Sequence, residues 1–111
     1  MSLADWHRTA ADALLRVPTA DGKRFAVVLE RGTLSVEVYA PRANDPQKPH
    51  TRDEVYAVIS GRGEFVLESE RRPFGPGDVL FVPARATHRF EKFSDDFATW
   101  VFFYGPEGGE A

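Results

Sequence analysis

The stretch QKPHTRDEVYAVISGRGEF, residues 47–65, contains both a strand pattern and candidate metal ligands. Its segment EVYAVIS is rich in β-branched and aromatic residues, which predicts a strand, and the following GRG predicts a tight turn. His50 and Glu54 lie four positions apart, which places both side chains on one face of an extended chain. An imidazole and a carboxylate that face the same space are typical metal ligands. Lys48 shares that face, so this is either a metal site or a site where a lysine replaces the metal.

The rest of the chain repeats this alternation of short strands and turns. FAVVLE and TLSVEVYA flank a predicted hairpin turn at Arg31-Gly32. Further strands are predicted for EFVLES, VLFVPA, HRFEKF and ATWVFFY, whereas ERRPFGPGD is predicted to be a long turn. Phe and Val occupy both parities of ATWVFFY, which indicates a strand buried on both faces. Seven or eight strands with Gly/Pro turns predict an all-β barrel or sandwich, and the aromatic content of 13% predicts an interior filled by large side chains.

Only the N-terminal segment has helical periodicity. Residues 2–17 predict a short amphipathic helix, because apolar residues recur at spacings of three or four, at Leu3, Trp6, Ala10, Leu14 and Val17. Ser2 and Asp5 suit a weak capping box, and Trp6 and Leu14 are expected to cover part of a sheet. The predicted organisation is a single domain, with the helix and a linker in residues 1–20, the barrel in 25–104 and a flexible tail in 105–111.

Composition excludes several classes of function. The net charge of the 111 residues is -3 and no block of like charge occurs, so neither a nucleic-acid nor a membrane partner is expected. The chain has no cysteine, which excludes disulfides, thiolate zinc sites and thiol catalysis. No apolar run has the length of a membrane span, and the first residues lack the apolar core of a signal peptide. We therefore expect a cytoplasmic protein.

A third candidate ligand is His88, which precedes a predicted strand just as His50 does. Antiparallel barrels bring such strand entrances together. His50, Glu54 and His88 would then form a facial set of ligands with open coordination positions. The spacing alone leaves a metal-free polar pocket as the alternative.

Two motifs give the chain a resemblance to a known family, the small single-domain cupins. The first motif of that family ends His-x-His, three or four residues, Glu, six residues, Gly. The second is Gly, five residues, Pro-x-Gly, two residues, His, three residues, Asn. The matching positions here are His50, Glu54, Gly61, Gly77, Pro83 and His88. The resemblance covers roughly residues 25–104 and implies an all-β fold, a double-stranded β-helix (jelly-roll) barrel, here with a short N-terminal helix.

Three positions depart from the family pattern. Lys48 stands where the first histidine of the motif is expected, Arg85 replaces the glycine after Pro83, and Lys92 replaces the final asparagine. A non-glycine residue at position 85 must make a turn that glycine usually makes. This predicts either a locally remodelled turn or an Arg85 side chain that reaches over the mouth of the barrel. The change at Lys92 is expected to affect structure only.

The resemblance also implies a site and its metal. It assigns His50, Glu54 and His88 as ligands of one divalent transition metal, which is Zn, Fe, Mn or Ni. Protonated Lys48 has no lone pair to offer a metal. It either extends into solvent and leaves a three-ligand site, or points inward and pairs with Glu54 in a metal-free pocket, where it could serve as a catalytic base. Tyr56 shares the parity of Glu54 and is a second candidate catalytic residue.

The function that the resemblance implies is a metal-binding cupin that acts on a small organic molecule in the barrel. If it is an enzyme, a dioxygenase-like oxidoreductase or an isomerase is expected. The alternatives are a non-catalytic cupin that binds or senses a small ligand, with or without metal, and an interaction protein that uses its helix and outer sheet. A homodimer is expected in all three cases, so assembly does not distinguish them.

Overall fold

The strands form two antiparallel sheets in a computed structural model that describes residues 6–111. The elements are α1 (Ala10–Leu14), β1 (Phe25–Arg31), β2 (Leu34–Tyr39), β3 (Asp53–Ser60), β4 (Gly63–Leu67), β5 (Glu70–Phe74), β6 (Val79–Val82), β7 (His88–Glu91) and β8 (Ala98–Tyr104). One sheet has the order β1-β2-β8-β3-β6 and the other has the order β5-β4-β7. No ladder joins the two sheets among the described strands, so the barrel is not closed by hydrogen bonds. Within residues 6–111 no helix is long and apolar enough to span a membrane.

An aromatic cluster fills the space between the two sheets. Phe90 lies at its centre, with its ring centroid 4.7 Å from that of Phe97 and 4.8 Å from that of Tyr56. Phe65 and Phe74 complete the cluster, and all five side chains are buried. The predicted jelly-roll barrel with a short N-terminal helix is therefore confirmed, including its filling by large side chains.

A second apolar cluster lies on the outer face of the five-stranded sheet. Ala13 of α1 packs there with Val28 of β1 and Val38 of β2, and Trp100 of β8 borders them. Val101, the next residue of β8, belongs instead to the inner cluster. Both faces of this strand therefore make apolar contacts, although Trp100 on the outer face is only half-buried.

The helix is shorter than the periodicity predicts. It begins after Thr9, whose Oγ1 accepts a hydrogen bond from the backbone N–H of Asp12 at 3.1 Å, and it ends at Leu14. Leu14 packs on the outer cluster as expected. Trp6 precedes the helix and is 71% exposed, so the prediction that it covers the sheet is wrong. The capping box proposed for Ser2 and Asp5, and the apolar position Leu3, lie outside the described residues.

The segment predicted to be a long turn contains a strand, β5. Four of its five residues are exposed, so the apolar alternation that identifies a half-buried strand is missing. The ladder to β4 and the guanidinium of Arg71, which contacts Glu64 at 2.8 Å and Glu91 at 2.5 Å, hold the strand in place. Pro73 is tolerated because β5 is an edge strand.

The C-terminal residues 105–111 lie against the start of β3. The backbone N–H of Gly108 donates to the carbonyl oxygen of Thr51 at 2.6 Å, and that of Glu110 donates to Oδ2 of Asp53 at 2.9 Å. Asp53 also accepts from the N–H of Ala84 through Oδ1. This buried aspartate therefore ties the tail and the turn before β7 to the strand that carries Glu54.

Candidate metal centre

His50, Glu54 and His88 come together between the two sheets. His50 lies in the loop before β3, Glu54 is the second residue of β3, and His88 is the first residue of β7 in the opposite sheet. Each offers a ligand atom, and the three atoms lie within 4.8 Å of one another. Glu54 and His88 are buried and His50 is half-buried. A His-Glu-His group that could hold a metal ion is therefore present.

The contact between Glu54 and His88 leaves polar atoms without hydrogen bonds. Nδ1 of His88 lies 2.9 Å from the carbonyl oxygen of Ala86, which can only accept, so Nδ1 carries the proton. In the neutral ring Nε2 then presents a lone pair to Oε1 of Glu54, 3.2 Å away. Although that distance is short, neither this nitrogen nor either carboxylate oxygen has a hydrogen-bond partner among the described residues. Buried polar atoms of this kind are costly, and a cation between them would satisfy all three.

The two histidines differ in their affinity for protons. Burial lowers the pKa of His50; the Glu54 carboxylate opposes this in part, His88 lowers the pKa further, and Asp45 has the smallest, opposing effect. His50 is therefore a neutral imidazole near neutral pH, the form that binds metals. Burial alone would also lower the pKa of His88, but the Glu54 carboxylate and the Ala86 carbonyl raise it above the ordinary value. When no metal is bound, a proton on His88 can therefore balance the negative charge of Glu54.

Gln47 reaches into the site, which the sequence did not predict. Its Oε1 accepts a hydrogen bond from the hydroxyl of Tyr56 at 3.0 Å and lies 3.3 Å from Nε2 of His50. Its amide nitrogen donates to Oδ2 of Asp45, and Asp45 in turn accepts from the hydroxyl of Tyr39. This chain of contacts fixes the loop before β3 and orients the ring of His50.

Lys48 is exposed and does not pair with Glu54, whose ion-pair partner among the described residues is His88. The parity argument for Lys48 required an extended strand, but residues 40–52 contain no strand and Pro46 and Pro49 interrupt the loop. Its catalytic role stays a prediction.

Tyr56 is fully buried, and burial and the Glu54 carboxylate raise its pKa well above the ordinary value. Its hydroxyl therefore keeps its proton and serves as the hydrogen-bond donor to Gln47. A catalytic role for this residue also stays a prediction.

The two other departures from the family pattern occupy left-handed backbone conformations. Arg85 has a φ of 68° and Lys92 has a φ of 53°. The turn after Pro83 therefore keeps the conformation that glycine favours and is not remodelled. The Arg85 side chain is exposed and lies beside Gly108 of the tail.

A cavity of about 320 Å³ adjoins the metal site through His50. Its lining residues are Phe25, Glu37, Tyr39, Pro46, Gln47, His50, Val101 and Phe103. The ring of Phe103 packs edge-on against that of His50, with centroids 4.8 Å apart. The sequence analysis did not identify Glu37 as a cavity residue. Its position between Val36 and Val38 could have indicated that its side chain faces the opposite side of the strand from theirs. Once the helix covers those valines, the residue between them must face the interior.

Comparisons with known proteins agree with this architecture. Residues 35–104 match the Cupin domain family. An uncharacterized protein of Streptomyces coelicolor is 40% identical over 89 residues, which cover 78% of this chain and 84% of that protein.

Two more distant matches have named activities. An acireductone dioxygenase of Pseudomonas aeruginosa is 32% identical over 95 residues that cover 71% of this chain, and the chain spans only 52% of the length of that enzyme. The crystal structure of the DMSP lyase DddQ from Ruegeria pomeroyi superposes with a TM-score of 0.66 at 25% identity, covering 90% of this chain and 55% of that one.

The family match spans more than half of the chain, and both sheets and the His-Glu-His group occur within or beside it. The chain therefore belongs to the Cupin domain family.

Proposed function

We propose that this cupin binds one divalent transition metal through His50, Glu54 and His88 and oxidises a small organic molecule with O₂. The observation that carries the proposal is that the buried carboxylate oxygens of Glu54 and Nε2 of His88 have no hydrogen-bond partner among the described residues. A ligand atom of His50 lies within 4.8 Å of them, and a cavity of about 320 Å³ adjoins the group. Two imidazoles and one carboxylate suit Fe(II), Mn(II), Ni(II) and Zn(II). Fe(II) held by these three residues would supply open coordination positions for the substrate and O₂.

The side chains around the site have separable roles in this proposal. Phe103 and Gln47 hold the ring of His50 from two sides, so the ligand is oriented before a metal arrives. Phe25, Tyr39 and Val101 provide largely apolar walls against which the substrate would pack. The buried hydroxyl of Tyr56 keeps its proton and donates a hydrogen bond to Oε1 of Gln47, which holds the Gln47 side chain in place.

The similarity to acireductone dioxygenases favours oxygenase chemistry, on a substrate that chelates the metal through oxygen atoms. In such a reaction the substrate supplies the electrons, and both oxygen atoms of O₂ enter the products. The likeness to a DMSP lyase supports a second candidate, in which the metal is a Lewis acid and no oxidant is consumed.

The first experiment is elemental analysis of protein purified without an affinity tag or chelator, followed by calorimetric titration with the four metals. The Fe(II)-loaded protein is then mixed with enediols and α-hydroxyketones in an oxygen-electrode cell. We expect about one metal per chain and O₂ uptake with at least one of these compounds, since three donor atoms are already assembled. The variant His88→Ala serves as the control without the site. Metal retention without O₂ uptake favours the Lewis-acid candidate, and failure to retain any of the four metals contradicts both.

Assembly is a separate proposal. Val79 and Phe81 on β6 are 68% and 50% exposed, and this apolar surface favours the homodimer that the family resemblance implies. Light scattering of the purified chain tests it, because a monomeric mass at micromolar concentration contradicts it.

A further inference from the structure

Glu37 is a second carboxylate in the cavity, and the metal site does not use it. It lies on β2 opposite Val101 of β8 and Val27 of β1, so its side chain faces the same side of the sheet as theirs. It is half-buried and lines the main cavity together with Phe25 and Phe103. A polar group among such apolar walls is unfavourable unless something in the cavity pairs with it.

The carboxyl group of Glu37 makes no hydrogen bond or ion pair with any residue in the described range 6–111. The guanidinium of Arg52, whose charge lowers the pKa of Glu37, lies over the ring of Phe103 and donates to the carbonyl oxygen of Thr33 instead. Glu37 is therefore free to contact whatever occupies the cavity.

The position of Glu37 relative to the metal site is also informative. A smaller cavity of about 250 Å³, lined by Ser35, Thr51 and Arg52 among others, shares Glu37, His50 and Phe103 with the main one. Glu37 thus borders the space on both sides of His50, but it is not among the three residues whose ligand atoms converge. A molecule that chelates a metal beside His50 would have its far end within reach of Glu37.

We propose that Glu37 selects the ligand of this cavity: it binds a hydrogen-bond donor, a hydroxyl or ammonium group, at the end of the molecule opposite its chelating oxygens, and it excludes ligands that carry a carboxylate or phosphate there. This inference rests on the proposed function, because it needs the metal to hold the chelating end. An anionic end would meet Glu37 and lie near Glu54 in an apolar surrounding, where like charges repel strongly. Burial and the Glu54 carboxylate raise the pKa of Glu37 to about 7, which is consistent with a site that disfavours further negative charge.

Two hydroxypyranones provide a matched pair of probes. Kojic acid and comenic acid have the same α-hydroxyketone chelating group, but the first carries a hydroxymethyl arm and the second a carboxylate. Their dissociation constants are measured by calorimetry with the Zn(II)-loaded full chain at pH 8. We expect kojic acid to bind the native chain at least about tenfold more tightly than comenic acid, since one uncompensated charge pair costs this much. Glu37→Gln should reduce the ratio severalfold, mainly by tightening the binding of comenic acid.

Glu70→Gln is the control, because Glu70 is an exposed carboxylate on β5 of the other sheet, lines neither cavity and is not among the charges that shift the pKa of Glu37. It should leave the ratio unchanged. If the native chain binds the two probes with equal dissociation constants, or binds neither, the assignment of Glu37 is overturned. The assignment is also overturned if Glu37→Gln leaves the ratio of the two dissociation constants unchanged. A chain that does not retain Zn(II), Fe(II), Mn(II) or Ni(II) overturns the proposed function as well, so the two failures are distinguishable.

Discussion

The backbone N–H of Arg85 donates a hydrogen bond to the carbonyl oxygen of His50 at 2.6 Å. This bond joins the turn before β7 to the loop before β3, and thereby joins the two segments that carry the candidate ligands. It depends on the left-handed conformation of Arg85, with a φ of 68°. Arg85 thus contributes to the site through its backbone N–H, whereas its side chain is exposed to solvent and does not enter the site.

Replacement of Arg85 by glycine should stabilise the protein. Glycine adopts positive φ without the steric cost that other residues incur, so relief of this cost should add about 1 kcal/mol to the free energy of unfolding, less the greater freedom of glycine in the unfolded chain. Urea unfolding measures the change. Arg85→Ala is the matched control, since it removes the guanidinium and keeps the strained conformation. Equal effects of the two variants would show that the side chain, and not the backbone, matters.

The sequence predicted the fold and the convergence of His50, Glu54 and His88, because both rest on recognisable patterns. Alternating or continuous runs of β-branched and aromatic residues define seven of the eight strands, and His50, Glu54 and His88 have the spacing of a known pattern. β5 was missed because its exposed residues and Pro73 give no alternation, and cross-strand ion pairs of Arg71 hold it instead.

The residues that support the site were harder to predict than its ligands. Gln47 and Asp45 lie in an irregular loop, where no periodicity states which side chain points inward. The prediction that Lys48 shares a face with Glu54 assumed an extended strand, and it does not apply because this segment is an irregular loop. In this loop the direction of each side chain follows from tertiary hydrogen bonds, such as that of the Phe90 N–H to Asp45 at 2.8 Å, which local sequence does not encode.

A histidine at position 47, and not at position 48, should add a fourth ligand. Gln47 reaches the ring of His50, whereas Lys48 is exposed. Gln47→His should therefore tighten Ni(II) or Zn(II) binding by about tenfold or more, and Lys48→His should leave it nearly unchanged. Competition with a chromophoric chelator measures both affinities. Gln47→Ala controls for loss of the acceptor of Tyr56, and tighter binding only in Lys48→His would mean that the loop turns Lys48 inward.

Glu54→Gln should raise the stability of the metal-free protein and at the same time weaken metal binding. In the metal-free protein at a pH where His88 is neutral, the buried carboxylate of Glu54 has no hydrogen-bond donor among the described residues, whereas an amide N–H at this position can donate to Nε2 of His88. We therefore expect the metal-free variant to gain on the order of 1–3 kcal/mol in the free energy of unfolding and to lose metal affinity at least a hundredfold. Thermal unfolding with and without Zn(II) shows both effects. Glu64→Gln, which removes a surface partner of Arg71, should do neither. A less stable metal-free Glu54→Gln would mean that the ionised pair with His88 is a net stabiliser.

The pH dependence of the free energy of unfolding should show that the pKa of Glu37 is raised in the folded protein. Burial raises its pKa from 4.5 to about 7, the carboxylates of Glu54 and Glu30 add to the rise, and Arg52 opposes it. A carboxyl with a raised pKa in the folded state contributes stability that is fully present below pH 4.5 and is lost as the pH rises to about 7. Glu37→Gln removes this loss, so between pH 5 and pH 8 the variant should gain on the order of 2 kcal/mol relative to the native chain, allowing for partial exposure. Urea unfolding of the metal-free proteins at four pH values measures the difference. Glu70→Gln, an exposed carboxylate on β5 that is not among the charges acting on Glu37, should give a nearly constant offset. If Glu37→Gln also gives a constant offset, the carboxyl titrates normally and the cavity around it is more hydrated than its lining indicates.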